Sequence, residues 1–101
     1  MSKASTSYKE GLCKDIADPQ EAAAYLNAAL EEDSQEVFLM ALRDIAEAKG
    51  MAQFSKKARL NRVSMYRMLS GKGNPQLSSL ASILESAGLR LAVVVREPKP
   101  G

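Results

Sequence analysis

Two arginines, Arg62 and Arg67, stand in the short stretch NRVSMYRML. On a helix, at about 100° per residue, Arg62, Val63, Tyr66 and Arg67 share one side. Met65, Met68 and Leu69 share the other. The first set has the chemistry for reading a duplex edge. An arginine fork can bind guanine O6 and N7 together, and a valine can meet a thymine methyl. Asn61, Ser64 and Tyr66 can reach phosphate oxygens, and a helix N-terminus itself favours an anion. Gln53, near the start of the preceding helix, sits where a backbone contact is expected. Lys72, just beyond the second helix, can clamp a phosphate; Lys56 and Lys57 are looser candidates. Each residue also has an ordinary reading. Arginines on a helix are commonly solvated charges, Tyr66 can pack against a neighbouring helix, and Met65 and Met68 belong in a core.

The charge pattern favours the first reading. Net charge over the 101 residues is +2, but it is divided unevenly. Residues 1–50 carry five basic and ten acidic residues; residues 51–101 carry nine basic residues and only Glu85 and Glu97 as acids. No acid lies between Glu47 and Glu85, while Lys49, Lys56, Lys57, Arg59, Arg62, Arg67 and Lys72 do. Seven cations without an anion set up a local positive field that suits a polyanion such as double-stranded DNA.

Other chemistries find no support. The sequence has no histidine and one cysteine, Cys13, which removes His-based triads, zinc fingers and disulfide frameworks. The carboxylates of the first half are spread over helix surfaces without a paired spacing for acid–base work. An enzyme is therefore not expected, nor a cofactor or a metal. No apolar run approaches the roughly 18 residues of a membrane span. The start, MSKASTSYKE, has no apolar h-region of a secretory signal. With a lone thiol, this implies a reducing compartment, the cytoplasm.

The elements that must position the candidate residues follow from caps and periodicity. Residues 1–15 are polar and aperiodic, a tail. Asp18-Pro19-Gln20-Glu21 opens a helix with a capping residue, a proline at the first position and a capping-box glutamate. Its stripe is Ala22, Tyr25, Leu26, Ala29 and Leu30. Asp33-Ser34-Gln35-Glu36 is a second capping box. It opens a helix bearing Val37, Phe38, Ala41, Leu42, Ile45 and Ala48 and closed by Gly50. A short helix over 52–58 follows, with Phe54 and Ala58 inward. After the turn Arg59-Leu60-Asn61, a further helix runs from Arg62 to about Ser70. Asn74 and Pro75 are expected to start a last helix, with Leu77, Leu80, Ala81 and Leu84 as its stripe, Ile83 beside it, and Gly88 as its end. Residues 89–95 (LRLAVVV) are rich in β-branched types and read as a strand. A lone strand has no ladder partner in its own chain, so pairing between two copies in a homodimer is expected, or with another protein's sheet edge; an extended tail on the helices is the alternative. The fold class is all-α: a five-helix, repressor-like helix-turn-helix domain over 16–97 with one C-terminal strand paired between chains, and a tail over 98–101.

The segments DPQEAAAYLNAALEEDSQEVFLMALRDIAEAKGM, NRVSMYRMLSGKGNP and LASILESAGLRLAVVV resemble the addiction-module antidote family, Cro/repressor-like helix-turn-helix proteins of the HigA-like antitoxin kind. The resemblance implies a dimeric regulator that binds its own operator and neutralises a small, basic, RelE-like ribonuclease toxin. The alternative is a stand-alone Cro/repressor-like regulator with no toxin. Carried over by position, the motif places base reading at Arg62, Val63 and Arg67, and phosphate or flanking contacts at Gln53, Asn61, Ser64 and Lys72. Two positions depart from it. Arg59 occupies a turn where glycine is common, and the turn keeps its form only if Arg59 accepts φ > 0. Ser55 stands where an alanine is customary at a close helix contact.

Overall fold

A computed structural model of the protein describes residues 16–97; the expected tails, 1–15 with Cys13 and 98–101, lie outside the described residues. Five helices lie among them: α1 (Pro19–Leu30), α2 (Gln35–Lys49), α3 (Met51–Ala58), α4 (Arg62–Met68) and α5 (Leu77–Ser86). All five expected helices are present, and their ends show where local chemistry decides.

Asp18 caps α1 as its type requires: its side chain accepts from the Glu21 backbone N–H at 3.3 Å, with Pro19 at the first position. Ala22, Leu26 and Ala29 are buried, whereas Leu30 at the last position is exposed. The cap of α2 is Ser34, not Asp33. Ser34 Oγ accepts from the Val37 N–H at 3.3 Å, while Asp33 takes φ 56 and turns the chain out of α1. Aspartate tolerates this left-handed region better than most residues. Along α2 the core takes Leu39, Leu42, Ile45 and Ala46; Val37, expected inside, is exposed. The run VFLMAL offers apolar residues to more than one face, and packing against α1 and α3 selects among them.

Gly50, at φ 97, ends α2 and starts α3 in one residue, so α3 begins at Met51, one residue earlier than expected. Nothing lies within 4 Å of a Cβ built there; the positive φ, not space, calls for glycine. α3 is central. It packs on α2, α4 and α5, burying Met51, Phe54, Ser55 and Ala58. The Ser55 hydroxyl is satisfied within the helix by donating to the Met51 carbonyl at 2.7 Å, so this departure from alanine leaves no orphaned polar group.

Arg59 does adopt the left-handed conformation, φ 61 and ψ 39. The Leu60 N–H then reaches back to the Ser55 carbonyl at 2.9 Å, closing α3 as glycine-ended helices close. A residue with a Cβ costs roughly 1–2 kcal/mol there, partly offset by the greater freedom glycine has in the unfolded chain. Arg59→Gly is therefore expected to raise stability by about 0.5–1 kcal/mol, read as a higher denaturant midpoint at unchanged slope.

The last helix starts at Leu77, with the extended Gln76 as its cap and no side-chain cap hydrogen bond. Asn74 and Pro75 remain in the preceding loop. Ile83, Leu84 and Ala87 carry α5 into the core, while Leu77 is exposed. Among the described residues there is no strand: 89–97 follows α5 without a ladder, and Val93, Val94 and Val95 stand 84–99% exposed. The strand expected over 89–95 is not formed, and the described residues offer no second strand to accept its hydrogen bonds.

Candidate nucleic-acid interface

The candidate residues gather around α4 because its inward face is occupied. Met65 and Leu69 are 0% exposed and Met68 is half-buried. Fixing that side leaves Arg62, Val63, Tyr66 and Arg67 on the other, and all four are exposed, Val63 at 68%. The two guanidinium groups thus share an uncovered helix face, with an apolar contact residue between them.

Asn61 acts first as a cap: its Oδ1 accepts from the Ser64 N–H at 2.7 Å. This fixes the first turn of α4, the end that would approach a phosphate, and leaves the Asn61 side-chain NH₂ as a donor. Ser64 is half-buried and Gln53 is exposed on α3.

Lys72 is exposed in the loop after α4, and that loop is tied down twice. Gln35 Nε2 on α2 donates to the Gly73 carbonyl at 3.1 Å, and the Gly73 N–H donates to the Ser70 carbonyl at 2.9 Å. A Cβ at Gly73 would overlap the Met68 carbonyl. The glycine after Lys72 is thus required by close backbone approach, which gives the Ser-Gly-Lys-Gly-Asn-Pro run a steric cause.

Sequence reasoning missed Arg43. From α2 its guanidinium lies 5.2 Å from the centroid of the Tyr66 ring, and its Nε lies 3.6 Å from Glu47 Oε2. Such a contact is worth about 0.5–1 kcal/mol at an exposed site, enough to favour one placement of Tyr66. Tyr66 packs against a neighbouring helix, as the ordinary reading expects, and keeps an exposed edge. No sequence signal could have found this pair, because it depends on how α2 passes α4. Lys49 was also outside the candidate set. With Gln53, Lys56 and Lys57 it lines a groove of about 620 Å³ whose floor includes Phe54 and Ser86. The groove gathers three lysines from the end of α2 and from α3.

Among the described residues, no three His, Cys, Asp or Glu side chains group to hold a metal ion. No helix among them is long and apolar enough to cross a membrane.

A family model described as "Probable addiction module antidote protein" matches residues 9–95. The chain belongs to this antidote family. A protein of Haemophilus influenzae (strain Rd), described as "Uncharacterized protein", is 36% identical over 78 residues, covering 77% of this chain and 80% of that protein. No solved structure matches. Membership gives the antidote a place in a toxin–antitoxin pair, with a toxin as its partner in general terms.

Proposed function

We propose that this antidote is a sequence-specific DNA-binding antitoxin that represses its own operon and neutralises a RelE-like toxin, without catalytic activity of its own. The observation that carries the DNA-binding reading is the exposure of Arg62 and Arg67 on one face of a short helix whose other face is locked by Met65 and Leu69. The consecutive short helices α3 and α4, joined by the turn at 59–61, act on this proposal as a helix-turn-helix. In this reading α4 enters the major groove. Arg62, Val63 and Arg67 meet base edges, while Gln53, Asn61, Ser64, Tyr66 and Lys72 grip the backbone.

The acid-free segment supplies the long-range attraction. A homodimer would let two α4 helices grip two half-sites about one helical turn apart. The exposed segment 89–95 is suited to make it, because pairing across a two-fold axis satisfies its backbone and covers its valines. The test is a mobility-shift assay on the DNA upstream of the gene, against an excess of unrelated duplex at physiological salt. Retention of a discrete complex is expected. Equal competition by any duplex would overturn the operator reading.

A further inference from the structure

α1 and α2 pack along each other and leave between them a groove of about 550 Å³. Its apolar part includes Ala29, Val37 and Met40; its acidic part is Glu32, Glu36 and Asp44. Val37 and Met40 are 38% and 42% exposed, although the neighbouring Leu39, Ala41 and Leu42 are buried. The Tyr25 hydroxyl donates to Asp44 Oδ2 at 2.7 Å and holds one wall in place. None of the groove's lining residues is a lysine or arginine. The ion pair recorded among the described residues, Arg43–Glu47, uses neither side of it. The groove therefore combines apolar area with carboxylates that no cation of its own lining neutralises.

We propose that this groove is where the toxin docks, and that its occupant is a cationic, partly apolar segment of the toxin's RNA-holding surface. The inference rests on the antitoxin reading with a ribonuclease as toxin. An enzyme that holds RNA must present cations to a polyanion. An acid-lined groove offers those cations the same charge, and Val37 and Met40 add the apolar contact that turns attraction into a seat. Methionine's flexible, polarizable side chain suits such a contact. Docking there neutralises the toxin by occupying the surface its substrate needs. The same carboxylates repel DNA from the groove itself. The rival occupant is a second copy's C-terminal segment, where Arg90 and Arg96 flank the exposed valines.

The test uses the full chain and the toxin encoded beside it, co-expressed and purified as a complex, with affinity measured by calorimetry. Glu32→Gln with Glu36→Gln, which removes the charges without placing cations in the first turn of α2, is expected to weaken toxin binding at least tenfold while a discrete operator shift is retained. A photo-crosslinking residue in place of Met40 is expected to capture the toxin. Unchanged affinity in the double variant, or capture of a second antidote chain at position 40, would overturn the groove assignment while leaving the antitoxin reading intact. Failure of the unaltered chain to bind the toxin would overturn both. A retained operator shift separates these results from misfolding.

Discussion

Met65→Ala is expected to remove about 2–5 kcal/mol of folding stability. Met65 is fully buried and is the one residue within α4 that is. Truncation loses its transfer free energy and leaves a cavity that α4 can only partly close. α4 has seven residues, too few to persist as a helix without its tertiary anchor. A domain of this size has about 5–15 kcal/mol to lose, so the variant should unfold at a markedly lower denaturant concentration. Val63→Ala, on the opposite side of the same helix and 68% exposed, is the control and should stay within about 0.5 kcal/mol of the parent. A Met65→Ala loss as small as the control's would mean that α4 is not held by its inward face. The shared orientation of Arg62 and Arg67 would then have no structural cause.

That anchoring was legible in the sequence because the periodicity of α4 is unambiguous. Met65, Met68 and Leu69 fall on one side, and no apolar residue but Val63 competes on the other. The start of α1 was legible for a similar reason, since Asp18-Pro19 leaves little choice. Where a helix carries apolar residues around more than one face, sequence period alone could not select the buried one. In α2 the expected Val37 gave way to Leu39 and Ala46. In α5 Leu77 lies outside and Ile83 inside, because α3 approaches from the Ile83 side.

Caps were ambiguous wherever two candidates stood together. Asp33 and Ser34 can each cap a helix, and the turn out of α1 takes Asp33 for its left-handed residue and leaves Ser34 as the cap. The strand over 89–95 illustrates a different boundary. Its β-branched composition describes what the segment can form, but a ladder needs a second strand, and the described residues offer none. For the candidate site, exposure followed directly from the helix period. The Arg43–Tyr66 contact and the Gln35–Gly73 tether did not, because both are set by tertiary approach between residues distant in sequence.

Arg67→Ala is expected to weaken operator binding by about 1–3 kcal/mol and to relax preference at one base position. Arg67 is exposed on α4, so its truncation should leave the unfolding transition in place and act on recognition alone. Arg67→Lys should not restore the lost preference: an ammonium is a point donor and cannot make the paired contact of a guanidinium fork. Lys72→Ala is the contrasting variant. A lysine in the loop beyond the helix meets phosphate without regard to sequence. Its loss should therefore lower affinity about equally for all duplexes and reduce the slope of log K against log salt by about 1. Titrations of both variants against the operator and against single-base variants of it, each at several salt concentrations, separate the two roles. Should Arg67→Ala weaken every duplex alike and flatten the salt slope, Arg67 would be a phosphate contact, and base reading would fall to Arg62 and Val63. Should neither variant change affinity, the uncovered face of α4 would not be the surface that meets DNA.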